Sequence, residues 1–188
     1  SIGGQTPATG TSNGYNETSL ARFRRRYGLS AGVVPAQNDP LWNQWRRDQV
    51  SNLVRRVYLE SLAVKPGLKV SAALIAFGGF SSWPSAEAYW RVYQDWDAWM
   101  REGILDLAIP MVYKAEHTAS VRPQFDQWGE WTKDHAYDRA VLIGQGGFVN
   151  GIEGTLRQVR RALAPSTAGH FGSGIAFFSM ANPDGGVP

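Results

Sequence analysis

Four apolar segments of the sequence alternate with segments whose apolar residues recur at helical spacing, and this alternation strongly constrains the fold. The apolar segments are LKVSAALIAF, DLAIPMVY, RAVLIGQGGF and GSGIAFFSM, which begin at residues 68, 106, 139 and 172. The first is apolar on both faces, as expected of a parallel strand that is covered on both sides. Strict alternation of helices and strands predicts βα units, a parallel sheet and therefore an α/β fold.

The helix before the first strand has the clearest predicted boundaries. Asn38, Asp39 and Pro40 combine capping side chains with a proline at the first helical position, which predicts a helix start. The helix runs to about residue 64, where KPG ends it. Its apolar residues recur at helical spacing and predict a buried stripe of Val50, Leu53, Val54, Val57 and Leu62.

Three further helices are predicted between and after the strands. One continuous helix is expected over residues 85–103, ended by Gly103, and another over residues 122–135. Asn150 and Glu153 resemble a capping box and predict the start of the last helix. The buried stripe predicted for that last helix consists of Ile152, Leu156, Val159 and Leu163.

The predicted domain organisation is simple. Residues 1–38 are expected to form a loop and a short helix, capped by Asn16 and ended by Gly28, that belong to a strand-to-helix connection. Residues 39–188 are expected to form four βα units in a single domain.

Composition excludes several classes of function. The net charge of +3 comes without a block of Lys and Arg free of acids, which argues against nucleic-acid binding, and Arg24, Arg25 and Arg26 are expected to form a solvated helix face. The chain has no cysteine, so disulfides and thiolate metal sites are excluded. This composition suits an exported protein that avoids mispaired thiols, but cytoplasmic proteins can also lack cysteine. The three histidines lie far apart, and none has metal-motif spacing with another, so no metal site is expected. No other cofactor is expected either. No apolar run approaches the roughly 18 residues of a membrane span.

Each predicted strand ends in a residue that could face a site. These residues are Phe77, Tyr113, Gln145 and Ser179. Polar and aromatic side chains at successive strand ends are what a (β/α)8 barrel presents at its catalytic face. The sequence therefore favours a barrel of this kind over a doubly wound sheet.

Several segments, in this order, resemble the C-terminal part of the bacterial glycosyl hydrolase-like family 10 proteins. They are FRRRYG, WRRDQVSNLVRRVYLESLAVKPGLKVSAA, WMREGILDLAIPMVY, VLIGQGGF and GIAFFSMANPDG, and they cover nearly all of the chain from about residue 17 onward. The resemblance implies a relative of exported glycosidases, among them hydrolases that cut peptidoglycan glycan strands already stripped of their peptides. The expected location is the periplasm or the cell envelope.

The resemblance also implies that this chain supplies about strands five to eight of a TIM barrel. In the family, the first half of the barrel lies upstream and ends in a strand with an acidic motif at the catalytic face. Four βα units alone leave two open sheet edges, which should be closed by something. The expected partner is therefore the N-terminal half of the barrel, as a preceding segment or as a separate chain, in addition to a polysaccharide substrate.

Glycoside hydrolysis needs two carboxyl groups roughly 5 to 10 Å apart. Glu116, just beyond the second strand, is the catalytic candidate in this chain, and its alternative role is that of a solvated loop acid. Asp106 begins the same strand and is expected at the opposite end of the barrel. The candidates for contacts with sugar are Tyr113, Gln145, Trp83, Phe77, Ser179 and Asp184.

Structural roles remain open for several of these residues. Gln145 could bond a neighbouring backbone group, Phe77 could belong to the core, and Trp83 could cover the helices. The few carboxylates at strand ends also leave open a carbohydrate-binding or structural envelope protein without catalysis. A nucleotide site in GQGGFVNG is a weaker alternative, because the segment lacks the full glycine register and a P-loop lysine.

Overall fold

A computed structural model describes residues 13–179, which form a four-stranded parallel sheet with helices between the strands. The strands are β1 (Ser71–Leu74), β2 (Leu107–Pro110), β3 (Ala140–Gly146) and β4 (Gly174–Phe178). The helices are α1 (Glu17–Tyr27), α2 (Pro40–Val64), α3 (Glu87–Trp90), α4 (Trp96–Glu102), α5 (Arg122–Asp134) and α6 (Ile152–Leu163). Two short 3₁₀ helices cover Trp83–Ser85 and Gly147–Val149.

The strands lie in the sheet in the order in which they follow one another in the chain. Leu74 pairs with Pro110, Ala108 with Val141, and Ile143 with Ile175, all in parallel. This order, with helices in the connections, is that of half a (β/α)8 barrel, and the predicted α/β fold is confirmed. Within the described residues, β1 and β4 each pair with a strand on one side only.

The predicted ends of the first two helices are confirmed. The Asn16 side chain accepts a hydrogen bond from Ser19 N at 2.9 Å, and Gly28 ends α1 in the left-handed region with a φ of 63°. Asp39 accepts from the backbone N–H groups of residues 41 and 42, and Pro40 follows as the first residue of α2.

Two apolar clusters hold the helices in place. The larger lies between the sheet and the helices, and its buried members include Leu74, Trp96, Trp128 and Ile143. The smaller joins α1 to the first turns of α2, and it consists of Leu20, Phe23, Trp42 and Trp45, all buried. The α1 helix is therefore attached to α2 on the helix side of the sheet.

The run of three arginines in α1 is not uniformly solvated, so one part of that prediction is wrong. Arg24 is buried, and its side chain donates to Val33 O at 2.7 Å and to Glu17 at 2.9 Å. Arg25 and Arg26 are exposed, as predicted.

The buried face of α2 differs from the predicted stripe. Leu53 and Val57 are exposed, while the buried residues of the helix are Trp42, Trp45, Arg46, Arg47 and Ser51. The N-terminal half of α2 packs against α1, and Trp99 Nε1 donates to Ser51 Oγ at 2.8 Å. These contacts rotate the buried surface away from the aliphatic stripe, of which only Val50 and Val54 pack against the core.

The predicted helix over residues 85–103 is in fact two helices, α3 and α4. The chain breaks between them at Tyr93, which has a φ of 58° and donates its hydroxyl to Asn43 Oδ1 at 3.1 Å. Gln94 accepts from Ile75 N at 3.0 Å, and Asp95 caps α4. Bonds to α2 and to the end of β1 thus replace the helical bonds that this segment would otherwise make.

The α6 helix buries a face of two small residues and one glutamine rather than its apolar stripe. Ile152, Leu156 and Leu163 are exposed, and the buried residues are Gly154, Gln158 and Ala162. The predicted capping box is also absent, because Gly151 is the N-cap and the Asn150 side chain instead accepts from Glu116 N at 2.7 Å. The helix is therefore oriented by its bonds to the loop after β2.

Among the described helices, including the 25-residue α2, none is both long and apolar enough to cross a membrane. The predicted boundary between residues 38 and 39 stays a prediction. The helices on its two sides, α1 and α2, share one apolar cluster.

Candidate functional site

The face of the sheet that points away from the helices carries one residue of every strand at the same height. Extension of the observed strand register brings Phe77, Tyr113, Gly146 and Phe178 side by side at the carboxyl ends of β1 to β4. In a (β/α)8 barrel this end of the inner face is where substrates bind. Phe77 and Phe178 are 46% and 56% exposed, so their rings are open to a ligand.

Three aromatic rings form a contiguous surface at this level, which we call the aromatic platform: Tyr113, Phe148 and Phe178. The rings of Tyr113 and Phe178 are nearly parallel, with an interplanar angle of 19° and centroids 5.8 Å apart. Phe148 meets both rings edge-on, at 5.7 Å from Tyr113 and 6.1 Å from Phe178. The residues come from three different parts of the chain, so only the folded sheet brings them together.

Gly146 lies between the two parallel rings and makes their approach possible. A side chain at this position would place its Cβ 3.0 Å from Tyr113 Cβ and 3.1 Å from Val149 Cγ2. These distances are shorter than ordinary carbon contacts. The glycine in the segment GQGG is therefore explained by packing of the platform, with no need for a nucleotide.

The hydroxyl of Tyr113 is available as a hydrogen-bond donor. Burial raises the pKa of this group above its ordinary value, so it stays protonated at neutral pH. The Tyr113 ring can thus contact an apolar surface of a ligand while its hydroxyl bonds a polar group.

The structure places Gln145 on the other side of the sheet. Gln145 shares a face with the buried residues Val141 and Ile143, is fully buried, and donates from Nε2 to Ile143 O at 3.2 Å. This is the backbone contact that the sequence left open as its alternative role. The carbonyl oxygen Oε1 has no partner among the described residues.

Trp83 is part of an aromatic cluster on the helices rather than of the platform. Its ring stacks on Trp131 with an interplanar angle of 4° and centroids 4.9 Å apart, and it meets Trp96 edge-on. Its Nε1 donates to Asp95 Oδ1 at 2.8 Å. One face of the indole is thus covered within the protein.

Glu116 lies beneath α6, with its carboxylate engaged by that helix. Arg161 donates to both carboxylate oxygens, at 2.9 and 2.6 Å, and Gln158 adds a bond at 3.3 Å. Burial alone would raise the pKa of this carboxyl, but the bonds and charge of Arg161 lower it overall. An ionised carboxylate held in this way is suited to anchoring a loop, and a catalytic role for it stays a prediction.

Lys114 is a buried residue beside the platform that the sequence reading did not select. Its Nζ donates to Ala76 O at 2.8 Å and to Gly78 O at 2.7 Å, so it links the end of β2 to the end of β1. Burial lowers its pKa to about 8. A lysine directly after a strand-end tyrosine is the only signal in the sequence that could have identified it.

The remaining candidates are placed as follows. Ser179 directly follows Phe178 and is partly buried. Asp184 lies outside the described residues. The site roles predicted for both stay predictions.

Acidic side chains are scarce at this face. None of the inner-facing positions of β1 to β4 is occupied by Asp or Glu. Asp106 lies at the amino end of β2, as expected, where it accepts from Val70 N at 2.9 Å and pairs with Arg139 at 3.3 Å. No group of three or more His, Asp and Glu side chains in residues 13–179 is arranged to hold a metal ion.

One cluster on the helix side contains the residue types of a hydrolytic triad without its geometry. Ser166 Oγ and His170 Nδ1 both contact Asp134 Oδ1, at 2.5 and 2.9 Å. The serine hydroxyl therefore donates to the carboxylate and has no imidazole acceptor to activate it, as nucleophilic catalysis requires.

The parallel sheet in chain order, with helices in its connections, defines the class of protein as an α/β protein with the architecture of half a (β/α)8 barrel. The sequence model of the family described as glycosyl hydrolase-like 10 matches residues 7–158, and the chain belongs to this family. A comparison with curated proteins finds no match.

Proposed function

We propose that this chain forms one wall of a glycosidase cleft in which sugar rings pack on the aromatic platform. The observation that carries the proposal is the nearly parallel pair of Tyr113, which is partly buried, and Phe178, which is 56% exposed, at the carboxyl ends of two strands. Flat aromatic faces complement the C–H face of a pyranose, and the Tyr113 hydroxyl can bond a sugar hydroxyl. Membership of a glycosyl hydrolase-like family supports the same kind of ligand.

The general acid and its partner carboxylate come from outside these four strands in this proposal. Hydrolysis of a glycosidic bond uses two carboxyl groups, and the inner-facing positions of β1 to β4 offer none. The open sides of β1 and β4 are where the N-terminal half of a barrel would pair. That half is the partner that we expect to supply the catalytic carboxylates.

The substrate that we propose is a cell-envelope polysaccharide, such as peptidoglycan glycan strands stripped of their peptides. The resemblance of the sequence to hydrolases of such strands supports this substrate.

The test is an assay of the protein together with the N-terminal half of the barrel on stripped glycan strands. We expect new reducing ends, which separation of the products by mass would detect. Binding of the strands without any product would overturn the proposal of a glycosidase.

A second candidate function is carbohydrate binding without catalysis, and a specific observation favours it. The three rings of the platform all come from this chain, whereas no inner-facing position of β1 to β4 in residues 13–179 is occupied by Asp or Glu. This candidate predicts that glycan binding persists and that no product forms even when the N-terminal half is present.

Replacement of Phe178 by alanine should weaken glycan binding roughly tenfold, because one of the two parallel rings is lost, and tenfold corresponds to about 1.4 kcal/mol. Co-sedimentation of the protein with insoluble glycan strands at a series of protein concentrations measures this affinity.

Phe171→Ala is the matched control for this variant. Phe171 is 65% exposed, similar to Phe178, and lies just before the same strand but at its opposite end. If both variants bind the glycan as tightly as the unaltered protein, the platform is not the binding surface.

A further inference from the structure

The helix side of the protein contains a second concave surface that the platform does not use. A cavity of about 500 Å³ lies between α1 and α2, and four arginines line it: Arg22, Arg25, Arg26 and Arg55. We call this cavity the arginine cleft. Its lining residues all belong to α1 and α2, which lie on the helix side of the sheet. The sheet therefore separates the arginine cleft from the aromatic platform.

Three of these guanidinium groups have no acidic partner in the part of the chain that the structure describes. Arg22, Arg25 and Arg26 are exposed, and none of them forms an ion pair or a side-chain hydrogen bond within residues 13–179. Their spacing of three and four positions places them on one face of α1, where like charges repel one another slightly. An anion in the cleft would relieve this repulsion.

The fourth arginine is held in a fixed orientation at the other wall. Arg55 Nη2 donates to Glu102 Oε2 at 2.7 Å, and Nη1 donates to Asn52 Oδ1 at 2.7 Å. The second bond occupies the Asn52 carbonyl oxygen, so the donor that Asn52 can offer at the cleft is its NH₂ group. Gln49, one turn earlier, donates from Nε2 to Trp45 O at 3.3 Å, which leaves its carbonyl oxygen as an acceptor.

The lining chemistry selects among anions. Guanidinium forks match the paired oxygens of carboxylates and phosphates alike, and the amides of Asn52 and Gln49 add groups that match sugar hydroxyls. Asp48 also lines the cleft; its carboxylate repels any anion, most strongly one as densely charged as polyphosphate, and it can accept bonds from sugar hydroxyls. We propose that the arginine cleft binds a segment of an acidic polysaccharide through the carboxylates of its sugars. This proposal rests on the proposed glycan ligand, and it adds a second site and a charge requirement.

The test is binding of polygalacturonate, a soluble polycarboxylate sugar, with dextran as the neutral polymer and inorganic polyphosphate as the phosphate polymer. We expect binding of polygalacturonate, much weaker binding of dextran, and a loss of affinity as salt is raised above about 0.15 M. The triple variant Arg22→Gln, Arg25→Gln, Arg26→Gln should bind polygalacturonate at least roughly tenfold more weakly.

A charge-matched control distinguishes the cleft from a general effect of positive charge. The variant Lys65→Gln, Arg122→Gln, Arg160→Gln removes three exposed cations elsewhere on the surface and should bind like the unaltered protein. Equal losses in the two triple variants, no binding of polygalacturonate, or a preference for polyphosphate would each overturn the proposal.

The platform and the cleft can be tested separately. Phe178→Ala should leave polygalacturonate binding at the cleft unchanged, since the two surfaces lie on opposite sides of the sheet. Failure of the glycosidase proposal would show as absent hydrolysis in every variant, whereas failure of the cleft proposal would show only in the polycarboxylate titration.

Discussion

Replacement of Glu116 by glutamine is expected to lower the free energy of unfolding by about 2 kcal/mol, less than the roughly 3 to 5 kcal/mol of a fully buried pair, because Arg161 is 33% exposed and keeps its bond to Asp126. The Glu116 side chain is 4% exposed, and Arg161 bonds both of its oxygens. The amide would keep a bond to one of these donors but would lose the charge that offsets the guanidinium. Urea denaturation followed by circular dichroism measures the difference.

Glu153→Gln is the control for this substitution, because Glu153 is an exposed glutamate in the first turn of the same helix. Its stability change should stay within about 0.5 kcal/mol. If Glu116→Gln is equally mild, the Glu116–Arg161 pair does not anchor the loop after β2 to α6, and the carboxylate is free for another role.

The pH dependence gives a second criterion for Glu116. The pKa of this carboxyl is lowered in the folded protein, so its stabilisation is present above the unfolded value of about 4.3 and is lost as the pH falls through the folded value. The difference between the unaltered protein and Glu116→Gln should therefore be greatest near neutral pH and shrink below about pH 4.

The strands and the main helices could be predicted from the sequence because the signals that define them lie within a few residues of each element. Strand composition, the Asn16 and Asp39 caps and Gly28 act within a few residues, so they can be read without knowledge of the rest of the chain. The sheet order also followed, since alternation of strand and helix leaves few topologies open.

The buried faces of the helices could not be predicted in the same way. In α6, an inward Gln158 replaces the apolar stripe because its amide donates to Lys114 O at 2.8 Å, a residue 44 positions earlier. In the segment between α3 and α4, Tyr93 bonds Asn43 across a similar distance in sequence. Such long-range polar bonds leave no periodic signal, and they outweighed helical propensity at both places.

Only part of the candidate site could be predicted from the sequence, because strand ends have local signals whereas the register between strands does not. Tyr113 was identified from its position at a strand end, but its partner Phe178 was not, because the pairing depends on strand register and on the missing side chain at Gly146. Register also decides the face of a residue, since a shift of one position turns a side chain to the other side of the sheet. Gln145, one residue before Gly146, is placed among the helix-facing core residues for this reason.

α6 and β4 carry several large apolar side chains that are exposed to solvent. Ile152, Leu156 and Leu163 on α6, with Phe177 on β4, are exposed within the described residues. Large exposed apolar patches on soluble proteins often mark surfaces that another protein segment covers.

Lys114 should make the stability of the protein rise with pH in the alkaline range. Its pKa is lowered to about 8 by burial in the folded state, against about 10.4 for an unfolded lysine. Between these values the unfolded chain binds more protons than the folded protein, so the free energy of unfolding increases with pH. This difference between the folded and unfolded pKa values corresponds to at most about 3 kcal/mol in the free energy of unfolding. The protein gains this stability progressively from about pH 8 to 10.4.

The comparison that isolates this residue is with Lys114→Met, a side chain of similar length without charge. The variant leaves Ala76 O and Gly78 O without their donor, which should lower stability at every pH. It should also lack the alkaline rise, so the unaltered protein should gain stability relative to the variant from pH 8 upward. Urea denaturation at a series of pH values between about 7 and 10 gives both curves.

The exposed lysine Lys65 provides the matched control, because Lys65→Met removes the same charge at a solvated position. Its curve should run parallel to that of the unaltered protein. If the curve of stability against pH for Lys114→Met also ran parallel to that of the unaltered protein, Lys114 would be charged and solvated throughout this range. It would then not join the end of β2 to the end of β1 beneath the platform. A rise that disappears only in Lys114→Met would establish that Lys114 loses its proton in the folded protein at a lower pH than in the unfolded chain, as expected of a buried lysine held by Ala76 O and Gly78 O.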